Sequence, residues 1–235
     1  MSTRKGFWDT KENAEAYDNY ARNFPMYQET SADLVEIVDL KSGMTVIDLA
    51  AGTGATSQAI LAKIGDQGRV IAVDQAKEML KKAQEKFASK NVQFVVAEAE
   101  NLDQVITEPV DVVVCNSAFW QMNAPETLRA VANVLKPDGI FAFNLPDQFF
   151  DNPSSDNLDS LGTLGQKADL KLESRTTKRY QKSPAEKLAF QEIPIMQRNF
   201  RDEDERAQFM AKLKDKAEQN IPQEQQWIYF VFRKD

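Results

Sequence analysis

Asp48, Asp74, Glu98 and Asn116 are the residues whose type and spacing point most directly to chemistry. Each closes, or nearly closes, a short apolar run: Thr45–Leu49, Arg69–Val73, Val92–Ala97 and Val110–Cys115. The first run leads through Asp48-Leu49-Ala50-Ala51-Gly52-Thr53-Gly54 into a helical pattern. Small residues at 50, 52 and 54 let a ligand approach the backbone, and a helix start offers free N–H groups. Alone, such a segment is also an ordinary tight turn between strand and helix. Asp74 lies 74 − 48 = 26 positions after Asp48, at the end of the second run. A carboxylate there is placed to accept both hydroxyls of a ribose, and the same position suits a helix N-cap. In Ala97-Glu98-Ala99-Glu100, the Glu98 carboxylate can accept from an exocyclic amine while the Ala99 N–H faces a ring nitrogen. Asn116 and Ser117 end the fourth run. Four consecutive strand ends thus carry polar groups aimed at one rim.

The elements that position these groups follow from periodicity. Residues 44–145 alternate strand and helix, which implies a parallel sheet with helices on both faces. Thr56–Ile64 reads as a helix closed by Gly65. Ala76, Met79, Leu80, Ala83 and Phe87 recur at helical spacing, so a second helix carries one apolar stripe. Glu126–Leu135 is a third helix, Lys136–Gly139 a turn, and Ile140–Leu145 a fifth strand. Residues 1–43 read as two helices, Thr10–Arg22 and Ala32–Leu40, forming an N-terminal cap; residues 44–235 form the main domain. Residues 146–167, rich in Asp, Asn, Ser, Pro and Gly, read as a loop or weak helix, and 146–200 as a substrate-side insert. Leu170–Tyr180 is a strand, Glu203–Ala217 an amphipathic helix, and Trp227–Phe232 a strand apolar on both faces and therefore internal.

Composition bounds the chemistry. The chain has 235 residues, 42% of them hydrophobic and 28% charged, as in ordinary globular proteins. Its formal charge of −7 argues against a dedicated nucleic-acid partner, because phosphate contacts need clustered Lys and Arg. There is no histidine, which excludes His-dependent triads and an imidazole base. The one cysteine, Cys115, makes neither a disulfide framework nor a Cys-based metal site, so no metal is expected. No apolar run reaches the ~18 residues of a membrane span, and the polar N-terminus lacks a signal-peptide core. The expectation is a cytoplasmic protein with a small-molecule partner, monomeric or homodimeric.

The segments VIDLAAGTG, VIAVDQAKEML, VVAEAENL, DVVVCNSAF and LKPDGIFAFNLP resemble, in order, the motifs of class I S-adenosylmethionine-dependent methyltransferases, closest to the small-molecule branch called type 11. The leader WDTKENAEAYDNYARNFPMY is similar to the cap helices of that branch. The resemblance implies a Rossmann-like α/β fold: a doubly wound, mostly parallel seven-stranded sheet with an antiparallel, inserted last strand. It implies S-adenosyl-L-methionine as cofactor and S-adenosyl-L-homocysteine as product. In such enzymes the residue at Asp48 orients the methionine amino group. The backbone at Ala50 and Gly52 lies along the cofactor, and Gly54 opens the helix. Asp74 holds the ribose hydroxyls, Gln75 and Met79 flank the adenine, and Glu98 with Ala99 reads its edge. Asn116 and Ser117 face the methionine moiety, and Tyr17 and Tyr27 close over the cofactor. One departure is Ala50, where the family's run has its first glycine. A nicotinamide reading needs G-x-G-x-x-G, but the register from residue 50 gives Ala50, Gly52 and Ala55. An NAD(P)-dependent oxidoreductase and a non-catalytic cofactor-binding protein are the alternatives.

Methyl transfer asks the protein mainly to position and desolvate the acceptor. Without histidine, a base is an Asp, Glu, Tyr or Lys, or the acceptor arrives already nucleophilic. Asp147, just past the fifth strand, is the candidate base, and a solvated loop acid is its plain alternative. Asn116-Ser117-Ala118-Phe119 lacks the prolines of enzymes that methylate adenine or amide nitrogens. Phe119, Trp120 and Met122 are candidates for the wall of an apolar acceptor pocket. Lys167, Lys171, Arg175, Lys178, Arg179 and Lys182 form a basic stretch suited to an anionic substrate or to a solvated strand face.

Overall fold

β-branched and aromatic runs decide where the strands form. The computed structural model of the chain describes residues 7–87, 91–147 and 156–235. Its sheet is built on β1 (Thr45–Leu49), β2 (Arg69–Asp74), β3 (Val92–Val96), β4 (Val110–Asn116) and β5 (Leu135–Pro146), which pair in parallel. β6 (Leu170–Lys182) and β7 (Gln223–Lys234) complete the order β3-β2-β1-β4-β5-β7-β6. β7 is antiparallel to both neighbours and inserted between them. Having β5 on one side and β6 on the other, it buries Trp227, Tyr229, Phe230 and Phe232 almost completely.

The helices are α1 (Lys11–Asn23), α2 (Met26–Ile37), α3 (Ala55–Ile64), α4 (Lys77–Phe87), α5 (Leu102–Val105), α6 (Ala124–Val134), α7 (Asp156–Gln166), α8 (Pro184–Glu192) and α9 (Glu203–Gln219). Alternation along each strand divides the core between the two faces of the sheet. On one face Val46, Val70, Val112 and Val114 meet Leu34 and Val35 of α2 and Ile60 and Ile64 of α3. On the other, Ile47, Val113, Phe141, Phe143 and Phe230 meet Leu102, Leu128, Val131 and Leu161 from α5, α6 and α7. Both faces are covered, which is why the central strands read as unbroken apolar runs. After β3 the chain crosses back to place β4 beside β1, so the strand order reverses there. A crevice opens at the carboxyl ends of strands at such a point.

Several boundaries differ from the sequence reading for identifiable reasons. The second helix starts at Met26 rather than Ala32, because Pro25 presets the backbone entering it, and it ends before Asp39, whose φ is +50°. β5 starts at Leu135: Lys136–Gly139 is an excursion within the strand, where pairing jumps from Val110↔Leu135 to Val112↔Ile140. Residues 156–166 of the polar segment form α7, and residues 148–155 lie outside the described residues. The sequence reading missed α8. Its signal was Ser183-Pro184-Ala185-Glu186, in which the Ser183 hydroxyl accepts the Glu186 N–H at 3.0 Å. No helix among the described residues is long and apolar enough to cross a membrane.

Candidate functional site

The turn after β1 passes through three residues with left-handed backbone: Ala50 (φ +59°), Gly52 (φ +54°) and Gly54 (φ +93°). For Ala50 that conformation is strained by about 1–2 kcal/mol. The alanine therefore keeps the turn that a glycine would make more cheaply. The turn is pinned from the neighbouring strand. The Ala51 N–H donates to the Val73 carbonyl at 3.0 Å, and the Gly52 N–H donates to Asp74 Oδ2 at 2.8 Å. Asp74 Oδ1 accepts the Ala76 N–H at 2.8 Å, so this carboxylate also shapes the entry to α4. The Gln75 N–H also lowers the pKa of Asp74, yet burial outweighs these backbone hydrogen bonds and raises it.

Asp48 lies one residue before the end of β1 and faces α3, where its Oδ2 accepts the Ser57 hydroxyl at 2.6 Å. Burial pushes its carboxyl up to about 7, against the lowering effect of that hydrogen bond. A carboxyl raised in the folded chain stabilises the fold below its unfolded pKa of ~4, and that stability is lost as pH rises through the folded value. The melting temperature should therefore fall between about pH 4 and pH 7. Asp48→Asn, which keeps an acceptor for Ser57, should flatten that slope. A melting series of both proteins across this window checks it, and parallel slopes contradict it.

At the other side of the crevice, Ser117 also has positive φ, +60°, and its N–H donates to Asn144 Oδ1 at 2.8 Å. Asn116 Nδ2 donates to Thr30 Oγ1 and Ser31 Oγ at 3.2 and 2.9 Å, tying β4 to α2. Its Oδ1 is buried with no partner among the described residues. The first helices close the crevice from above. Tyr17 packs edge-on to Trp8 and tilted to Tyr27, both at 5.6 Å between ring centroids. Burial pushes the Tyr27 hydroxyl up to about 12 and also raises that of Tyr17 well above its ordinary value. Lys86 of α4 donates to the Thr53 carbonyl at 2.7 Å and pairs with Asp18 of α1, locking cap, turn and helix together.

These elements enclose a cavity of about 690 Å³. Of the residues singled out in the sequence, Tyr17, Tyr27, Ala50, Gly52, Asp74, Gln75, Met79, Ala99, Asn116, Ser117, Trp120 and Met122 line it. Five others lie off the wall. Asp48 lies buried behind the turn. A Cβ on Gly54 would meet Phe87 at 2.5 Å, so that glycine serves packing with α4. Phe119 stacks on Phe143 at 4.1 Å inside the core, not in an acceptor pocket. Glu98 precedes the single turn Ala99–Asn101, and that turn presents Glu100 instead. Asp147 follows Pro146, which does line the cavity.

Apart from Lys182, the sequence reading missed the far wall: Phe7 and Trp8, then Phe190, Met196, Arg198, Gln225 and Trp227. α8 and the 3-10 segment Pro194–Asn199 bring much of it into place. Asn13 anchors that segment, since its Oδ1 accepts the Ile195 N–H at 2.8 Å. Of the basic stretch, only Lys182 reaches the cavity; Lys178 pairs with Asp33 at 2.5 Å and Arg179 with Glu224 at 3.6 Å. Among the described residues, no cluster of His, Cys, Asp or Glu is suited to a metal ion.

A nucleoside carrying a cationic sulfonium and amino group fits these residues. The Asp74 carboxylate on the wall suits the hydroxyls of a cis-diol, and Gly52 keeps the backbone open, with only Tyr17 as near as 3.7 Å to where a Cβ would stand.

Comparison with known proteins agrees with that chemistry. A family model described as a methyltransferase domain matches residues 40–221. A malonyl-[acyl-carrier protein] O-methyltransferase of Acetivibrio thermocellus is 30% identical over 133 residues, 56% of this chain and 46% of that protein. A ubiquinone/menaquinone biosynthesis C-methyltransferase of Shewanella frigidimarina is 31% identical over 145 residues, 57% of each chain. The chain thus matches about half the length of these relatives. The crystal structure of Haemonchus contortus phosphoethanolamine N-methyltransferase 2 with S-adenosyl-L-methionine shares the fold, with a TM-score of 0.64 at 16% identity. That likeness covers 100% of this chain and 60% of that one.

Proposed function

Because the chain belongs to the class I S-adenosylmethionine-dependent methyltransferases, we propose that its cavity binds S-adenosyl-L-methionine and passes the methyl group to an oxygen, nitrogen or carbon of a small organic molecule. The observation that carries this reading is Asp74: a carboxylate on the cavity wall at the end of β2, oriented by the Gly52 and Ala76 N–H groups toward the space where a ribose would lie.

When bound, this cofactor supplies an electrophilic methyl group on a sulfonium. The chain's own residues then have to hold, orient and dry the reactants. Asp74 accepts from both ribose hydroxyls. Gln75 and Met79 flank the adenine, and the Ala99 N–H meets a ring nitrogen. Ala50 and Gly52 give the backbone room along the nucleoside, with Tyr17 and Tyr27 closing over it. Asn116 Oδ1, buried and unpartnered, accepts at the methionine end beside Ser117. Asp48, in its ionised form, adds negative charge behind the turn, favourable to the methionine ammonium. Trp120 and Met122 exclude water beside the acceptor, which raises the effective concentration of the two reactants.

No histidine exists to take a proton. Asp147 is not on the wall, so proximity and desolvation carry the reaction in this reading, with an acceptor that arrives nucleophilic. Similar proteins named for O- and for C-methylation leave all three acceptor atoms open.

Calorimetric titration tests the assignment. S-adenosyl-L-homocysteine should bind at one site per chain and NADH should give no heat. Binding of NADH in place of the homocysteine nucleoside would return the site to the oxidoreductase alternative. Cofactor binding with no label transferred to any acceptor in a broad screen would leave a non-catalytic binding protein.

A further inference from the structure

This inference rests on the methyltransferase reading and names the class of molecule that takes the methyl group. Charge along the cavity is divided. The part formed by the ends of β1, β2 and β3 carries two carboxylates, Asp74 and Glu100. The part formed by the ends of β5, β6 and β7 with α8 and the 3-10 segment carries Lys182 and Arg198 and no lining acid. In a chain of net charge −7, an acceptor chamber with only cations on its wall runs against the average.

The two cations differ in setting. Arg198 is exposed and stacks on the Phe7 ring, 3.7 Å from its centroid. Lys182 is half-buried at the last position of β6. Strand alternation puts Lys178, Tyr180 and Lys182 on one face, paired in register with Trp227, Gln225 and Gln223 of β7, and both Lys182 and Trp227 line the cavity. Lys178 and the Tyr180 hydroxyl are both satisfied by Asp33. Lys182 forms no ion pair among the described residues; its ammonium lies 5.1 Å from the centre of the Phe190 ring. The nearby Glu186 carboxylate attracts it electrostatically but accepts its hydrogen bond from Tyr20, at 3.1 Å.

Trp227 supplies a second, independent sign. Its side chain is 1% exposed and lines the cavity. Its indole N–H has no partner among the described residues. A buried donor left unpaired is destabilising, so natural structures keep few of them without a ligand or water to receive the hydrogen.

We infer that the methyl acceptor is a small organic acid. Its oxyanion meets the Lys182 ammonium, a hydrogen-bond-accepting atom meets the Trp227 N–H, and its apolar body lies against Phe190 and Met196. Charge-assisted hydrogen bonds are about twice as strong as neutral ones, which sets the preference for an acid over its uncharged analogue.

The test titrates S-adenosyl-L-homocysteine-loaded protein with 3-phenylpropionate, with octanoate and with the primary amide of each. At least one acid should bind about tenfold more tightly than its amide. Lys182→Met should abolish that preference while the homocysteine nucleoside still binds. Trp227→Phe, which keeps the ring and loses the N–H, should weaken the acid and its amide together. Equal binding of acids and amides, binding of neither acid, or a preference that survives Lys182→Met overturns the inference and leaves the cofactor assignment standing. Failure of the wild-type protein to bind S-adenosyl-L-homocysteine overturns both.

Discussion

Asp74→Ala should weaken S-adenosyl-L-homocysteine binding by about 3 kcal/mol, roughly 100-fold. Two losses add. Hydrogen bonds from ribose hydroxyls to a charged acceptor are worth about 1.5–3 kcal/mol. The same carboxylate also receives the Gly52 N–H, so its removal frees the turn that the cofactor must lie against. Asp9→Ala is the control. Asp9 is an exposed acid that accepts the Glu78 N–H at 2.8 Å at the start of α4 and does not line the cavity. It should leave affinity within about threefold, because exposed charges are screened. Calorimetry on both variants separates a specific ribose contact from a general loss of negative charge. Equal effects contradict the assignment.

Gly54→Ala should cost the fold about 2–5 kcal/mol. The residue sits at φ +93°, and an added Cβ would stand 2.5 Å from the ring of Phe87. The backbone contributes about 1–2 kcal/mol and the overpacking about 1–3 kcal/mol. Gly43 has a similar φ, +84°, but nothing within 4 Å of the added carbon. Gly43→Ala therefore carries the backbone cost alone, about 1–2 kcal/mol. Denaturant unfolding of the two variants isolates the Phe87 contact. If they lose equal stability, Gly54 is there for its dihedral only and the close approach of α4 to the turn is not what fixes it.

The strands were legible because β-branched runs buried on two faces leave a continuous apolar signature, as in Val110–Cys115. Asp74 was legible because it sits at the end of such a run, where the register leaves little freedom. Glu98 and Glu100 were not separable. They are two residues apart at a strand end, and the turn Ala99–Asn101 decides which carboxylate reaches the cavity. Phe119 failed for a related reason. The 3-10 turn Phe119–Gln121 sends Phe119 into the core and leaves Trp120 on the cavity wall. Of the far wall only Lys182 was legible, because the other residues come from positions as distant as Trp8 and Trp227, which only the chain's topology brings together. A capping signal at Ser183 announced α8, yet nothing local said that Phe190 would face the same space as Asn116.

The whole proposal stands on the nucleoside of S-adenosyl-L-methionine lying across the ends of β1, β2 and β3 with its ribose on Asp74. A crystal structure of the protein with S-adenosyl-L-homocysteine tests this most directly. The expected result is both ribose hydroxyls on the Asp74 carboxylate, the backbone of Gly52 against the nucleoside, and the sulfur turned toward the chamber walled by Trp227. A ribose held elsewhere, with Asp74 bonded only to backbone N–H groups, would contradict it.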